Sequence, residues 1–566
     1  MANPDIKSRE FPLALIFALL FAFVFLLHIP LLRLPYFWDE AGYYVPAARD
    51  LLFSGTLIPH STPSNAHPPL VMAYLALWWK VVGFSPLVTR SAMLMIAAFS
   101  LTGVFRLAQR VTNVEVAIAS TICTMLYPVL FAQSSLAHVD LAAAGLICWG
   151  LSEYVERRHG TAAIWFSLAV LAKETAILAP LALFGWELVS MVLRFWTARR
   201  FHVTQHSETE GKLGAARGSG VAQRFRVEQR FSAAAKVPAS EPALAPATWK
   251  SITLLAPLIP LGLWYAYHYS RTGFVFGNPE FFRYNVQATM QPLRIFLALL
   301  LRLWQVLGYF SLYLLTLATL LAMWLPPLRG ANEERPRIPL DVQFAFLAVI
   351  ATYVVAMAVV GGAVLARYML PVVPLVMIIG VSTLRRRAHL WGGIVAIVAL
   401  AFVAGLLVNP PYGFSIEDNL AYRDYIVMHQ HAEEFLQARY PQARVLTAWP
   451  ASEELTEPFL GYVPRPMRVV RMEDFTAEQL MSAADLSNFD VALVFSLKYE
   501  PPHPVLERWH TWLEWKTRFF GYHRDLPPAA AAQILGGHLV YMDNRNGQWV
   551  GVIEMDRIQE AHLHAE

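Results

Sequence analysis

Long apolar runs separated by short polar turns fill residues 11–408. About twenty apolar residues make a helix long enough to cross a hydrocarbon core. On that measure spans are expected over 11–32, 85–106, 114–134, 138–154, 161–173, 175–195, 250–269, 295–326, 341–364, 367–384 and 390–408, about 11 transmembrane helices with the short run at 161–173 included. The run 69–83 is set apart, because it is short and carries Lys80 and the pair Trp78-Trp79. Counted as a span, it would reverse the side assigned to every later loop. Laid along the interface as an amphipathic helix, it leaves Arg106/Arg110, Arg157/Arg158, Arg194/Arg199/Arg200, Arg329/Arg335/Arg337 and Arg385-Arg386-Arg387 all on the cytoplasmic side. Positive charge flanking spans collects on that side.

The same threading sends 33–84, the turns 135–140 and 173–175, 270–294, 365–367 and everything after 409 to the opposite, outer face. The stretch 196–249, rich in Ala, Gly, Ser, Gln and Arg with little periodicity, reads as a flexible basic cytoplasmic linker. After residue 409 the pattern changes. A charged helical stretch, Glu433 to Arg439, alternates with short apolar runs at Val445-Leu446-Thr447, Asp490 to Phe495 and Trp549 to Glu554. The expected organisation is therefore a membrane domain, 1–408, with first outer loop 33–84, followed by a soluble α/β domain, 409–566, outside the membrane. The latter holds no phosphate loop and no nucleophile elbow, so no catalysis is assigned to it.

Composition agrees. Of 566 residues 56% are hydrophobic and only 15% charged, with a mean hydropathy of +0.42, which excludes an ordinary soluble domain. The 17 Trp and 22 Tyr suit a protein with two wet interfaces to line. The net charge of +4 is small and falls in cytoplasmic loops, so no nucleic-acid partner is expected. Cys123 and Cys148 lie in apolar runs and are expected to be buried thiols. Lys7 and Arg9 precede the first run without a cleavage site after it, so a retained helix with a cytoplasmic N-terminus is expected.

The chemistry gathers on the outer face. Asp39 and Glu40 follow the first span in Tyr36-Phe37-Trp38-Asp39-Glu40-Ala41-Gly42-Tyr43-Tyr44. Carboxylates at that depth face a polar cavity or a partner, or simply mark the end of the span. His67-Pro68-Pro69-Leu70 opens the interfacial helix, where Pro suits the first turn and His67 is either a hydrogen-bonding cap or a ligand. His138-Val139-Asp140 heads a span, and Asp140 there is either a helix cap or part of a site. Lys173 snorkels to the interface, binds a phosphate or pairs with Glu174. Arg367-Tyr368 sits at the outer interface, where topology does not explain an Arg and guanidinium suits phosphate. The cations imply a phosphate-bearing substrate, and the acids a base that takes a proton from a nucleophile.

These stretches resemble the motifs of the GT-C superfamily, membrane glycosyltransferases that use polyprenyl-phosphate sugars. The nearest likeness is to the protein O-mannosyltransferase and lipid A aminoarabinose transferase group, which depends on dolichyl- or undecaprenyl-phosphate sugars. Asp39-Glu40-Ala41-x-Tyr43-Tyr44 with Ala47-Ala48-Arg49 resembles the acidic first-loop motif, and His67-Pro68-Pro69-Leu70 resembles the Lys-Pro-Pro-Leu opening of the interfacial helix. His138-Val139-Asp140 is similar to the second acidic position. Lys173 and Arg367-Tyr368-Met369-Leu370-Pro371 with Pro374 resemble the basic positions near the lipid phosphate. The likeness covers about 11–408. His67 stands where Lys is usual, and Glu174 where a small residue is common.

The resemblance implies inverting hexosyl or pentosyl transfer from a polyprenyl-phosphate donor to a lipid, protein or polysaccharide acceptor, by a multi-pass inner-membrane enzyme acting at its periplasmic or extracellular face. Asp39 is then the general base, and Glu40 orients the acceptor or binds an ion. Lys173 and Arg367 hold the phosphate. Tyr43, Tyr44, His67, His138, Asp140, Glu174, Tyr284 and Tyr368 are candidate substrate contacts, with the aromatic belt as the alternative for the tyrosines. A divalent cation, Mg²⁺ or Mn²⁺, is a candidate cofactor, with Glu40, His67 and Asp140 as candidate ligands. The competing readings are a lipid-linked sugar flippase or transporter, a non-catalytic assembly subunit, and a lipid-linked oligosaccharide ligase.

Overall fold

The computed structural model describes residues 12–193, 195–196, 251–277, 289–330, 334–486, 488–499, 501 and 509–556. Nearly all of the linker 196–249, Tyr284 and the N-terminal Lys7 and Arg9 lie outside the described residues.

Among the described residues five helical stretches are long and apolar enough to cross a membrane: Leu13–Leu31, Pro86–Val111, Glu174–Leu193, Pro292–Met323 (bent at Phe310-Ser311) and Leu340–Val359. Shorter helices His159–Ala172, Leu258–Thr272, Val373–Arg387 and Trp391–Leu407 complete the bundle around them. On the outermost helices Leu19, Leu26, Leu400 and Leu407 stay exposed, as lipid-facing side chains do. Helices Pro86–Val111 and Asp140–Val155 touch backbone to backbone. A Cβ built on Gly145 would fall on the side chain of Ser100, so only glycine permits this approach.

Two expected spans are broken. The run 114–134 is a helix, Val114–Leu126, followed by a short one, Pro128–Gln133, with Tyr127 extended between them. Proline disfavours helical backbone at the residue before it, which accounts for the break. The run 295–326 is likewise two helices, Pro292–Leu307 and Leu312–Met323, joined through Phe310 and Ser311 in left-handed backbone. Hydropathy does not register a change of direction inside an apolar stretch.

The run set apart forms a helix, Leu70–Val82. Its buried face is Val71, Met72, Leu75, Ala76 and Trp79, while Leu77, Val81 and Val82 stay exposed. Tyr74 and Trp79 tie it to the next helix, the Trp79 indole N–H donating to Thr89 Oγ1 at 2.9 Å.

Among the described residues, Arg106, Arg157, Arg385 and Arg386 of the basic clusters lie at one end of the bundle, while Arg194, Arg199 and Arg200 lie outside the described residues. Arg106 pairs with Glu153, Arg157 with Asp341 at 3.2 Å, Arg385 with Glu115 at 2.7 Å and Arg386 with Glu334 at 3.0 Å. Asp39, His67, His138, Lys173 and Arg367 lie at the other end.

After Leu407 the chain forms helix Ala421–Arg439 and a five-stranded sheet of order β2-β1-β3-β5-β4, with β1 Arg444–Ala448, β2 Arg468–Met472, β3 Val491–Phe495, β4 Gly537–Arg545 and β5 Gln548–Met555. Strand β1 runs parallel to β2 and β3, and β5 antiparallel to β3 and β4. β3 is buried along its whole length and so reads as one apolar run. β2 exposes Arg468 and Arg471, and β4 exposes Met542 and Asn544 with Asp543 and Arg545 half-buried, so neither reads as one apolar run. This segment rests on the first outer loop. Leu460 C=O accepts from Tyr36 N–H at 3.0 Å, and the Trp449 ring meets Trp38 edge-on at 5.0 Å.

Candidate active site

The first outer loop places its two acids in opposite directions. Trp38 takes a left-handed backbone (φ 51°), which reverses the chain just before Asp39. The next turn, Glu40–Tyr44, is wider than an α-helix, with Val45 N–H bonding to Glu40 C=O five residues back.

Glu40 points inward and is fully buried. Arg90 grips it through both oxygens, at 2.5 and 2.9 Å. The backbone N–H groups of Ala137 and Phe37 donate to it at 2.5 and 3.0 Å. Arg90 in turn donates to the carbonyls of Pro35 and Ser135 at 2.8 and 2.9 Å. Glu40 therefore departs from its expected place at the substrate. Its lone pairs are engaged, and it knits the first loop to the 135–137 turn.

Asp39 points the other way, onto Arg367, which is the hub of the site. Its guanidinium pairs with Asp39, with Glu417 at 2.5 Å and, through Nε, with Asp140 at 3.5 Å. His138 lies 3.0 Å from the same guanidinium and 2.7 Å from Gln133 Oε1. Of the three acids on Arg367, the Asp39 side chain is 20% exposed, and Asp140 and Glu417 are 2% exposed each. Lys173 also pairs with Asp140, and its ammonium stands 4.1 Å from the centre of the Tyr368 ring. Asp140 makes no side-chain cap on its helix. Its carboxylate instead links both cations.

Lys173 and Glu174 do not neutralise each other. The chain is extended at Lys173 and turns tightly over Glu174–Ile177, so the two side chains diverge. Glu174 Oε2 takes His67 Nδ1 at 2.7 Å, and the His67 ring lies nearly parallel to Tyr44.

Arg367 is held in place by residues inside an apolar span. The segment 360–365 is non-helical, and Arg302 donates to the carbonyls of Met357 and Leu365 at 3.2 and 2.7 Å. Gln305 donates to Val364 C=O and Arg294 to Gly361 C=O, both at 2.8 Å. Non-helical backbone in a membrane bundle leaves carbonyls unpaired within the chain, and these side chains satisfy them where the segment lines the cavity.

A cavity of about 1580 Å³ opens on this hub. Asp39, Tyr43, Tyr44, His67, Lys173, Glu174, Arg367 and Tyr368 line it, while Glu40, His138 and Asp140 stand behind the wall. One side is apolar, with Leu301, Trp304, Met357 and Val360. The other is closed by Tyr412, Glu417, Asp418, Trp449 and Tyr499 from beyond residue 409. This segment, to which the sequence assigned no catalysis, supplies two acids and aromatic walls to the cavity. Burial pushes the Glu417 carboxyl up to about 8 despite Arg367, whose charge is shared with other acids. Burial also lifts Asp418 to about 7, although Tyr309 donates to it at 2.6 Å.

Arg90, Arg302, Glu417 and Asp418 were missed in the sequence. Arg302 and Arg90 each break an apolar run, and Glu417-Asp418 repeats the pattern of adjacent acids just after a span. The residues offered for a metal do not converge. Glu40 is taken by Arg90, Asp140 by Lys173 and Arg367, and His67 by Glu174.

Fold and site together define a helical membrane bundle with a half-apolar cavity at one end, where acids and paired cations meet. Residues 66–205 match the family of dolichyl-phosphate-mannose-protein mannosyltransferases. No curated protein matches the chain. Among solved structures, ArnT from Cupriavidus metallidurans bound to undecaprenyl phosphate is similar, with a TM-score of 0.50 at 13% identity over 95% of this chain and 97% of that one. Its apo form gives a TM-score of 0.51 at 15% identity over 96% and 98%. The family match covers residues 66–205, and the likeness of fold to ArnT runs along nearly the whole chain.

Proposed function

We propose that this chain is an inverting glycosyltransferase that moves a hexosyl or pentosyl group from a polyprenyl-phosphate donor to an acceptor at the outer face of the membrane. The observation that carries the reading is Asp39. It is the one accessible acid of the three on Arg367, and it faces a cavity that has Lys173 and Arg367 in its wall and an apolar flank. The lipid tail fits the flank of Leu301, Trp304, Met357 and Val360, and the phosphate fits the cations. The undecaprenyl phosphate bound by ArnT, a protein of similar fold, supports a lipid phosphate as the ligand.

In the reaction, the acceptor hydroxyl oxygen attacks the anomeric carbon as the bond from that carbon to the phosphate oxygen breaks. The hydroxyl proton passes to Asp39, and the lipid phosphate leaves with the extra charge. Lys173 and Arg367 stabilise that charge by position, an effect that needs no reorganisation during the step. We assign Glu40, with Arg90, to positioning Asp39. Because the offered metal ligands do not converge, no step is routed through a metal.

The reading puts the soluble region after residue 409 on the outer side as a wall of the acceptor entrance, and the linker 196–249 in the cytoplasm. The test is purified protein in nanodiscs with a panel of radiolabelled polyprenyl-phosphate sugars and membrane-extract acceptors. Label appearing on an acceptor from one donor supports the reading. Binding of polyprenyl phosphate without consumption of any donor would favour the flippase or assembly-subunit alternatives.

A further inference from the structure

A second cluster of buried polar groups lies outside the cavity. His429 and Glu433 share one face of helix Ala421–Arg439, one turn apart, and Glu454 reaches them from helix Ala451–Thr456. His429 Nδ1 is 2.6 Å from Glu454 Oε2 and 3.9 Å from Glu433 Oε1. All three residues are wholly buried. Among the described residues neither carboxylate has a Lys or Arg ion-pair partner. The Tyr425 ring stacks on His429 at 3.9 Å and Phe495 meets it edge-on at 4.6 Å, so the surroundings are aromatic and dry.

Independent of that grouping, several polar atoms aimed into it have no protein partner. They are both oxygens of Glu433, Oε1 of Glu454 and the hydroxyls of Tyr425 and Tyr462. Native proteins leave few buried polar atoms unpaired, and a group of them marks a place where water or an ion belongs. Two carboxylates without a counter-cation are the costliest part, because a buried charge needs compensation.

We infer that His429, Glu433 and Glu454 bind one divalent transition-metal ion of the zinc type. One imidazole nitrogen and two carboxylates are a donor set that Zn²⁺ accepts, with Mn²⁺ weaker on the general affinity order. The ligand atoms lie within 4.8 Å of one another, close enough to share an ion. The role is structural. The ion joins helix Ala421–Arg439 to the helix that follows Trp449, and Trp449 walls the cavity against Trp38 and Gly42. The site therefore bears on the cavity's shape and supplies no group to it.

The test is chelator-stripped, detergent-purified full-length protein titrated with ZnCl₂, desalted, and counted for bound metal. Wild type and Asp39→Asn are expected to retain about one Zn²⁺ per chain, and His429→Gln and Glu433→Gln none. Zinc should also raise the thermal midpoint of wild type and not of the two variants. Failure of wild type to retain zinc, or retention by both cluster variants, would overturn the inference and leave a proton-sharing carboxylate pair. Should the variants fail to fold, X-ray absorption at the zinc edge of the wild type decides. An oxygen and nitrogen shell at about 2.0 Å with imidazole scattering supports the site, and a shell without imidazole overturns it.

Discussion

Removing Arg90 should destabilise the protein far more than removing Arg90 together with the charge of Glu40. Arg90 is 1% exposed and makes two hydrogen bonds to Glu40 and two to backbone carbonyls. Arg90→Met keeps much of the volume but strands a carboxylate that is itself 0% exposed, with only two backbone N–H donors left. Breaking a buried pair in this way costs about 3–5 kcal/mol, most of it the uncompensated charge. Glu40→Gln in the same chain removes that charge and keeps an acceptor for one of the two amides, Ala137 or Phe37, which bond to different oxygens of Glu40. The double variant should thus recover about half of the loss, a coupling of about 2 kcal/mol in a double-mutant cycle. Equilibrium unfolding by SDS titration in mixed micelles reads the stability, and transfer activity is measured alongside. If Glu40 acted directly on substrate, the double variant would stay inactive even where its fold recovers. Equal stability of the single and double variants would refute the claim that Glu40 is buried as an ionised partner of Arg90.

Three other perturbations follow from the geometry. Lys173→Met removes one charge-assisted contact to the donor phosphate while Asp140 keeps Arg367, so donor Kd should rise about ten- to hundred-fold, as read by competition with polyprenyl phosphate. Burial raises the Glu417 carboxyl from its ordinary 4.5 to about 8, so the folded protein holds a proton between those values that the unfolded chain has lost. Stability should therefore fall as pH rises through that window and level off above about 8, where ionised Glu417 also competes with donor phosphate for Arg367. Glu417→Gln should flatten the stability profile and abolish the rise in donor KM at high pH, and an unchanged pH profile would contradict it. Gly42→Ala should lower the thermal midpoint and transfer together, because its Cβ would come within 2.9 Å of the Trp449 indole.

Much of the site was legible because polar residues in an apolar chain are conspicuous. Asp39, His138, Asp140, Lys173 and Arg367 stood out as charges at the ends of spans, and the fold gathers them at one end. Sequence could not divide Asp39 from Glu40. Their opposite directions depend on the left-handed Trp38 and the wide turn after it, which no residue type demands. Nor could it pair Lys173 with Asp140 and Glu174 with His67, since the extended backbone at Lys173 decides that. Glu417 and Asp418 were passed over because they follow the last span, in a segment read as separate. Their burial arises only when the chain folds back over the cavity. The broken spans at Tyr127 and at Phe310-Ser311 were missed for a related reason, as hydropathy averages over a bend.

The most direct test of the central claim is single-turnover transfer by Asp39→Asn, using the donor that wild type consumes. Asparagine keeps the shape and an acceptor oxygen for Arg367 but takes no proton at neutral pH. The variant is expected to fold, to bind donor at least as well as wild type, and to lose transfer by about a hundred-fold or more, the usual scale for a general base. Transfer at the wild-type rate by a folded, donor-bound Asp39→Asn would contradict the assignment of Asp39 as the base.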